Sequence, residues 1–504
     1  MEGFADNILP ALGLVADPLN LALIVVGVVA GVVFGVLPGF GGSQALALLF
    51  PFTFAMEPAS AIMFMVSVYS GAEYGGSIPA ILIRTPGTTA AIMTVLDGAP
   101  MAKLGRPRRA LMISIIAGVC GGLISSVIFI VAATGLAWVG LQFGPPELFA
   151  VGVFGLAIIG SFVGKDPTKT FIGAAIGLLL ATIGSSQFSG MRFVFDQPWL
   201  YDGIPLIVMI IAMLAAPEAF KLMLSRPESD KAATGDDNEA VQLAAHPDDR
   251  FGFGDFRKLI PTILRGSLFG TAIGALPGPG PTVAAVIAYN EEKRWSKMPE
   301  KFGTGIDEGI AAPESSNNAV VAGAMVPALA LGIPGSGAIA VLLGVLISKG
   351  IVPGPTLFSE GGPLVLSIFL GLIACNIVLL AVGTLGVRAF VPLAKLPASV
   401  LGPFILALLV IGTYAFDNSI VHVLMFFVLG TFAYLLERFG ISTLPVILGF
   451  VMGPIIEVNL NRGLIIDGGD IWAIVSRPIT AVLLIVAIAT AILSYRRSMS
   501  ALKE

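Results

Sequence analysis

Two apolar stretches of the sequence combine side-chain hydroxyls with a Pro-Gly pair, as Thr-Pro-Gly-Thr at residues 85–88 and Ile-Pro-Gly-Ser at residues 333–336. Proline removes a backbone donor and clashes with the preceding helical turn, so each pair breaks a helix and leaves N–H and C=O groups that lipid cannot satisfy. Helix N-termini and unpaired amides suit a carboxylate, and free carbonyls suit a cation. The breaks therefore predict two re-entrant hairpins whose tips bind an anion and a coupling ion.

The predicted substrate ligands are the residues at the two hairpin tips. In chain order they are Arg84, Thr85, Pro86, Gly87, Thr88, Thr89, Pro334, Gly335, Ser336 and Gly337. The guanidinium of Arg84 could pair with a substrate carboxylate or could neutralise Glu73, and the sequence leaves both open. A plain kink between packed helices is the alternative for either break alone, but two breaks in the same register favour a binding site.

A polar cluster precedes each hairpin in otherwise apolar sequence, at residues 70–77 and 314–318. Polar side chains are costly inside a bilayer and usually face a cavity or a partner, so these clusters are predicted to bind the coupling ion. The residues concerned are Gly71, Glu73, Ser77, Glu314, Ser315, Ser316, Asn317 and Asn318. Neutral Asn and Ser oxygens suit Na⁺, whereas Glu73 and Glu314 could carry protons, so both ions stay open. Hydrogen bonding between packed helices is the alternative.

Further helix breaks repeat at matching positions of the two halves. The predicted break residues are Pro38, Gly39 and Pro79 in the first half, and Pro277, Gly278 and Pro327 in the second. Residues 37–41 and 276–280 both read Leu-Pro-Gly-x-Gly, and the spacing from Pro79 to the first tip equals that from Pro327 to the second. The sequence therefore indicates an internal duplication. Paired broken segments at corresponding positions are typical of a secondary transporter's binding site.

The composition places most of the chain in a membrane. Of 504 residues, 56% are hydrophobic and only 12% are charged, and the mean hydropathy is +0.94, well outside the range of soluble domains. Apolar runs of spanning length recur along the sequence, so the predicted fold is an all-α polytopic membrane protein with roughly 12 to 15 membrane segments, counting short and broken ones.

The distribution of Lys and Arg predicts that the two halves are inverted with respect to each other. Basic residues fill the loop at 291–301 but not its counterpart at 53–58, and they fill 103–109 but not the segment at 349–360. With the basic loops in the cytoplasm, the N-terminus lies outside. The predicted domains are a periplasmic segment at 1–18, a membrane repeat at 19–224, a cytoplasmic linker at 225–258, a second repeat with extra C-terminal helices at 259–495, and a cytoplasmic tail at 496–504.

Motifs that would indicate an enzyme are weak, and we predict that the chain is not one. Two cysteines and two histidines give no zinc framework, and no phosphate-binding loop is present. Residues 252–255, Gly-Phe-Gly-Asp, resemble half of an intramembrane aspartyl protease motif when taken with Asp202, but they fall in the polar linker. Asp97, followed by Gly98, predicts a turn. An ion gradient is the simplest remaining driving force, and no cofactor other than a coupling Na⁺ or H⁺ is expected.

Five short motifs together resemble one known family. Residues 75–79, 85–88, 97–102, 313–318 and 330–336, in that order, closely resemble the large membrane subunit of the tripartite tricarboxylate transporters, the TctA family. The resemblance implies a multi-pass symporter of the bacterial inner membrane. It also implies a small membrane subunit (TctB-like) and a periplasmic solute-binding protein (TctC-like) that delivers citrate or another carboxylate, with uptake driven by Na⁺ or H⁺. The sequence leaves open whether the membrane complex forms a homodimer.

One position departs from the family pattern, and three mechanisms follow as alternatives. The family often has Asn directly before Thr-Pro-Gly, whereas this chain has Arg84. The inverted pair of hairpins suggests an elevator-like movement of a hairpin-bearing transport domain against a scaffold. A stand-alone ion-coupled carrier or exporter is the second interpretation, and a passive channel with the tips as its filter is the third.

Overall fold

The structure is a computed structural model of the chain. It describes residues 2–37, 40–140, 142–162, 166–186, 188, 190–224, 249–276, 278–354, 357, 361–390, 392–393 and 397–501. Three predicted break residues, Pro38, Gly39 and Pro277, lie outside the described residues, as do residues 225–248 of the predicted linker and 502–504 of the predicted tail.

The first half of the described chain is helical except for one short β-hairpin. Its helices are α1 Glu2–Ala16, α2 Pro18–Val36, α3 Gly42–Leu49, α4 Pro58–Gly75, α5 Ser77–Ile83, α6 Ile92–Lys103, α7 Pro107–Gly140, α8 Pro145–Phe162, α9 Pro167–Ala181, α10 Leu206–Leu214 and α11 Ala216–Leu224. The antiparallel strands β1 Gly184–Ser186 and β2 Gly190–Arg192 pair Ser185 with Met191. Single 3₁₀ turns occur at Phe50–Thr53 and Pro198–Leu200.

The second half follows the same order of helix, break, helix and hairpin, and then adds further helices. Its helices are α12 Phe253–Gly274, α13 Gly280–Trp295, α14 Asp307–Leu331, α15 Gly337–Ser348, α16 Gly362–Phe390, α17 Ala398–Asp417, α18 Ile420–Arg438, α19 Thr443–Ile466, α20 Ile471–Val475 and α21 Pro478–Ala501, with a 3₁₀ turn at Pro299–Lys301. Helix α12 begins inside the predicted linker.

Seven helical segments of the described chain are long and apolar enough to cross a membrane. They are Pro18–Val36, Pro107–Ala132, Leu206–Leu224, Gly362–Gly386, Ser399–Asp417, Ile420–Arg438 and Thr443–Ile466. Shorter apolar helices accompany them, among them α15 and α9. The all-α polytopic class is therefore confirmed. The total of roughly 12 to 15 segments, the domain boundaries and the inverted orientation stay predictions.

A run of glycines at every fourth position brings two helices into backbone contact in each half. A Cβ built on Gly31 of α2 would lie 2.2 Å from the carbonyl oxygen of Val68 in α4, and one built on Gly270 of α12 would lie 2.2 Å from that of Ser316 in α14. Glycines one turn away on both sides repeat the contact, at 27 and 35 and at 266 and 274. Small residues permit such close approach between membrane helices, so α2–α4 and α12–α14 form matching pairs.

The helices pack as two groups. Helices α1 to α7 and α12 to α16 pack mainly with one another, and these include both glycine-bearing pairs and both hairpins. Helices α8 to α11 and α17 to α21 form the second group. The short helices α3 and α15 lie at the boundary, where they contact α10 of the second group. The hairpins therefore belong to one body that faces another.

Asp97 joins distant elements rather than forming a turn, so that prediction is wrong. It lies within α6 and is fully buried. Its carboxylate accepts hydrogen bonds from the backbone N–H groups of Gly303 (2.9 Å), Gly305 (2.8 Å) and Ile306 (3.0 Å), and from the hydroxyl of Tyr289 (2.8 Å). An aspartate favours a turn when its carboxylate accepts hydrogen bonds from nearby backbone N–H groups. Here the N–H groups belong to a loop some 200 residues further along the chain, so Asp97 stays within its helix.

Arg109 connects the start of α7 to the start of α14 and to the last part of the predicted linker. Its Nε donates to Asp307 Oδ1 (3.0 Å), and its Nη1 donates to Asp255 Oδ2 (3.2 Å) and to the carbonyl of Arg250 (2.8 Å). Asp255 belongs to the Gly-Phe-Gly-Asp sequence and lies in the first turn of α12, whereas Asp202 lies beyond β2, after the Pro198–Leu200 turn. The carboxylate of Asp255 is thus engaged by an arginine in a structural contact.

Candidate functional site

A cavity of about 550 Å³ lies where the two hairpin tips meet the first turns of α3 and α13. Its walls come from both halves of the chain and from both groups of helices. The lining residues are Gly41, Gly42, Ser43, Gln44, Tyr69, Glu73, Pro86, Gly87, Thr88, Thr89, Ile92, Glu218, Gly278, Pro279, Gly280, Pro281, Thr282, Val283, Ser336, Gly337, Ala338, Ser442 and Leu444.

The first hairpin tip folds back on its own helix. Arg84 follows the last residue of α5 and has a left-handed backbone (φ 56°), and the Thr85 N–H then donates to the carbonyl of Pro79 (3.3 Å). The Gly87 N–H donates to the carbonyl of Gly76 (3.1 Å). A Cβ on Gly87 would lie 2.0 Å from the carbonyl oxygen of Gly35, so only glycine allows the tip to reach the end of α2.

The second tip repeats this geometry. Gly332 follows the last residue of α14 and has a left-handed backbone (φ 71°), and the Ile333 N–H donates to the carbonyl of Pro327 (3.3 Å). The tip is then joined to the Leu-Pro-Gly element, because the Gly278 N–H donates to the carbonyl of Gly335 (3.2 Å). Ser336 caps α15, its Oγ accepting from the N–H of Ile339 (3.3 Å). The two Pro-Gly breaks therefore share a left-handed helix end and one equivalent backbone hydrogen bond, while the two-repeat arrangement stays a prediction.

Three helices begin at the cavity wall. The N-caps and first residues of α3 (Gly41, Gly42), α13 (Pro279, Gly280) and α15 (Ser336, Gly337) all line it. The N-caps of α3 and α13 make no side-chain cap bond. The first N–H groups of a helix lack intrahelical partners and carry the positive end of the helix dipole. Three such ends around one cavity make an environment for an anion.

Hydroxyl groups add donors, and lysine and arginine are absent from the described lining. Thr88 and Thr89 come from the first tip, Ser43 from the start of α3 and Thr282 from the start of α13. Thr89 Oγ1 and Thr282 Oγ1 lie 2.7 Å apart and hydrogen-bond across the two halves. An anion in this cavity would consequently be held by backbone N–H groups and hydroxyls rather than by a guanidinium or an ammonium group.

Several buried polar atoms of α4 and α14 have no hydrogen-bond partner among the described residues, and they include atoms of residues that line the cavity. Glu73 is 4% exposed and lines the cavity, and its Oε2 has no hydrogen-bond partner among the described residues. The same holds for Ser316 Oγ and for both polar atoms of Asn317 and of Asn318, which are buried in α14. Buried polar atoms are nearly always paired, and an oxygen-rich set left unpaired is what a bare cation needs. Their predicted role as ligands of a coupling ion stays a prediction.

Glu314 is a buried carboxylate with a complete set of hydroxyl donors. It is 1% exposed, and its Oε1 accepts from Ser77 Oγ (2.6 Å) and from Thr94 Oγ1, while its Oε2 accepts from Ser114 Oγ (2.9 Å). All three hydroxyls belong to the first half, in α5, α6 and α7, whereas Glu314 belongs to α14. This cluster ties the polar helix of the second half to the hairpin of the first.

The structure brings together part of the predicted site. Of the predicted residues, those that line the cavity are Glu73, Pro86, Gly87, Thr88, Thr89, Gly278, Ser336 and Gly337. Thr85, Pro334 and Gly335 lie in the tips but are not lining residues, and the side chain of Arg84 is exposed outside the lining. Gly71 packs against the backbone of α2, and Ser315 Oγ donates to the carbonyl of Ala312 (3.1 Å). Whether any of these residues binds a ligand stays a prediction.

Sequence reasoning missed several lining residues. Ser43 and Gln44 follow the first Leu-Pro-Gly element and Thr282 follows the second. These elements were interpreted as breaks, although each break also starts a new helix whose first turn offers donors. Glu218 lies after the apolar run of α10, and a carboxylate within a spanning segment is itself a signal of function.

Comparison with known proteins identifies relatives over nearly the whole chain. The tripartite tricarboxylate transporter TctA family matches residues 21–448. An uncharacterized 52.8 kDa protein in the TAR-I ttuC' 3' region of Agrobacterium vitis is 34% identical over 478 residues, which cover 95% of this chain and 93% of the relative. An uncharacterized protein in the TAR-II ttuC' 3' region of the same organism is 37% identical over 215 residues, which cover 43% of this chain and 89% of that relative. No solved structure matches the chain.

Proposed function

The chain belongs to the tripartite tricarboxylate transporter TctA family, and we propose that it is the large membrane subunit of a transporter that imports tricarboxylates or related carboxylates. In this proposal import is symport with Na⁺ or H⁺ and depends on a periplasmic solute-binding protein and a small membrane subunit. The protein lies in the bacterial inner membrane, with its N-terminus in the periplasm and its C-terminus in the cytoplasm.

One observation carries the proposal: the starts of α3, α13 and α15 converge on a single cavity whose described lining has no basic side chain. A carboxylate bound there accepts hydrogen bonds from backbone N–H groups, from the hydroxyl of Thr88, and from the one hydroxyl of the Thr89–Thr282 pair that does not donate to the other. Backbone donors are fixed by the helices, so they bind an anion without the side-chain ordering that a flexible lysine would require. Three such ends suit a substrate with more than one carboxylate.

The unpaired polar atoms beside the cavity support coupling to a cation. Glu73 is part of the lining, and Asn317 and Asn318 are buried in α14 with unpaired amides. An anionic substrate next to an ionised Glu73 would be repelled, so a cation or a proton at this position favours substrate binding. Loading of the ion and loading of the carboxylate are thereby made mutually dependent, which is the requirement for symport.

The two groups of helices support an elevator-like mechanism. Both tips, both glycine-bearing helix pairs and most of the cavity lining belong to the first group, whereas Glu218, Ser442 and Leu444 come from the second. The cavity thus lies at the boundary between two bodies. Movement of the hairpin-bearing group against the second group would carry the bound carboxylate and its ion from one side of the membrane to the other.

Uptake into proteoliposomes tests the proposal. The chain is reconstituted with and without the proposed small subunit and binding protein, and labelled mono-, di- and tricarboxylates are offered under imposed Na⁺ or proton gradients. We expect accumulation of a carboxylate that requires a gradient and the binding protein. Accumulation without the binding protein would indicate a stand-alone carrier, and equilibration that no gradient drives would indicate a channel. Uptake of no carboxylate under any of these conditions would contradict the proposed function.

A further inference from the structure

The cavity contains two carboxylates among its described lining residues, Glu73 and Glu218, and they belong to different groups of helices. Glu73 is on α4 of the first group and is nearly fully buried. Glu218 is on α11 of the second group, the same side of the cavity that Ser442 and Leu444 line. A carboxylate facing a site for anions is repulsive unless something neutralises it or donates to it, so Glu218 requires an explanation.

Lys221 holds one oxygen of Glu218 and leaves the other available. Lys221 Nζ lies 2.8 Å from Glu218 Oε1 and 2.7 Å from Glu437 Oε2 on α18. The Glu218 side chain is 20% exposed, and its Oε2 makes no hydrogen bond within the described part of the chain. The lysine therefore fixes the orientation of the carboxylate without using all of its acceptor capacity.

The other polar groups that line the cavity are mainly donors, namely N–H groups of helix first turns and the hydroxyls of Ser43, Thr88 and Thr282. These donors match the carboxylates of a substrate. The free oxygen of Glu218 matches a different group, because an ionised carboxylate can only accept hydrogen bonds. A substrate that fills the cavity can hydrogen-bond both to these donors and to Glu218 only if it carries a donor group in addition to its carboxylates.

We propose that Glu218 is a specificity-determining residue that accepts a hydrogen bond from a hydroxyl or ammonium group next to the substrate's carboxylates. This inference rests on the proposed function and narrows its substrate class to carboxylates bearing such a donor. Lys221 and Glu437 act as positioning residues. A substrate without the donor leaves Oε2 of Glu218 without a hydrogen bond and places its own negative charge beside that oxygen. Sites that hydrogen-bond a polar substrate group discriminate strongly against analogues that lack it.

Binding of matched compounds to the full chain in nanodiscs tests the inference. Malate, aspartate and succinate share a four-carbon skeleton and carry a hydroxyl, an ammonium and no donor, and citrate and tricarballylate form the corresponding tricarboxylate pair. We expect the donor-bearing compound of whichever set binds to be preferred by about 10- to 100-fold. Comparing the affinities for malate and aspartate shows whether Glu218 prefers a hydroxyl or an ammonium donor. A preference below threefold for both sets overturns the inference while leaving the proposed function intact. Binding of no carboxylate overturns both.

Substitutions separate hydrogen bonding from simple repulsion. Glu218→Ala should reduce the preference at least fivefold, and Glu218→Gln, whose amide oxygen still accepts, should give an intermediate preference. The control is Glu457→Gln, because Glu457 is also a partly exposed glutamate in an ion pair, here with Arg192 (2.9 Å), but it does not line the cavity. Relief of repulsion alone would tighten binding of both members of a pair equally and leave the preference unchanged, and that result overturns the inference. Should the alanine variant fail to fold, the glutamine variant and the wild-type preference still decide.

Discussion

Ser77 in the first half of the chain donates a 2.6 Å hydrogen bond to Glu314 in the second, 237 residues away. Neither side chain is exposed, and the same carboxylate accepts from Thr94 and Ser114. The polar clusters that the sequence places in separate halves therefore form one buried cluster. Because a buried carboxylate without a cationic neighbour depends on its donors, this cluster should be sensitive to the loss of any of them.

The Ser77→Ala variant should therefore be destabilised. Removing one hydroxyl from a buried carboxylate costs about 1 to 3 kcal/mol of unfolding free energy. The matched control is Ser126→Ala, because Ser126 is also fully buried but donates to the carbonyl of Gly122 in its own helix (2.7 Å). Thermal unfolding in nanodiscs measures both. Equal losses in the two variants would contradict the account of Glu314 as a dependent carboxylate.

Arg84 adopts a left-handed backbone that its glycine counterpart, Gly332, adopts without strain. Arg84→Gly should stabilise the chain by about 1 kcal/mol, and Arg84→Asn by less, since Asn tolerates this region better than most residues. Arg108→Gly is the control, because Arg108 is also an exposed arginine but lies in α7, where glycine gives no gain. Chemical unfolding measures the change, and a destabilised Arg84→Gly variant would contradict this account.

The same Arg84→Gly variant tests the predicted substrate role of the arginine. Its side chain lies outside the described cavity lining, so we expect the dissociation constant for the transported carboxylate to stay within twofold of wild type. Isothermal titration of the purified variant measures it. Binding weakened tenfold or more would show that the guanidinium reaches the substrate, as the sequence alone had suggested.

The glycine-mediated contacts of α2 and α12 should not tolerate a methyl group. A Cβ on Gly31 or on Gly270 would overlap a backbone carbonyl oxygen at 2.2 Å, and a backbone atom cannot move aside as a flexible side chain can. Gly31→Ala and Gly270→Ala should each cost about 1 to 3 kcal/mol or more. Gly13→Ala is the control, because no atom lies within 4 Å of a Cβ there and alanine favours the helix. If all three variants unfold at the same temperature, the close helix contacts at Gly31 and Gly270 are contradicted.

The unpaired amide of Asn317 should carry much of the stabilisation by the coupling ion. In wild-type protein we expect the unfolding temperature to rise with NaCl relative to choline chloride if Na⁺ is the ion, or on acidification if it is H⁺. Asn317→Ala should remove at least half of that rise and should raise the ion-free unfolding temperature, since it deletes a buried unpaired group. Asn459→Ala is the control, because that amide donates to Ile455 in its own helix (2.8 Å). A full ion-dependent rise in Asn317→Ala would remove this residue from the ion site.

The sequence correctly predicted helix ends next to Pro86 and Pro334, because proline and glycine restrict the local backbone. It was wrong for Pro79 and Pro327, which were predicted as further breaks but lie inside helices. Pro79 is in the first turn of α5, where its missing N–H has no intrahelical partner, and Pro327 lies in α14, whose packing against neighbouring helices tolerates it. The tip residues Pro86, Gly87 and Ser336 line one cavity, and the equivalence of the two breaks extends to the same backbone bonds, Thr85 to Pro79 and Ile333 to Pro327. The all-α membrane class followed from hydropathy alone.

Features that depend on partners far along the chain could not be predicted. The helical placement of Asp97 depends on N–H donors in the loop at 303–306, and the satisfied state of Glu314 depends on hydroxyls of three other helices. Glu218 became a site residue only because α11 packs at the boundary of the cavity. The sequence shows which polar side chains each helix carries, but the tertiary packing of the helices determines which groups those side chains contact.

The position of the bound carboxylate tests the central claim most directly. Electron cryomicroscopy of the full chain in nanodiscs, saturated with the carboxylate that its uptake screen identifies, should show ligand density between the first turns of α3, α13 and α15, in contact with Thr88 and Gly337. Density anywhere else on the protein, with this cavity filled by side chains or lipid, would contradict the account.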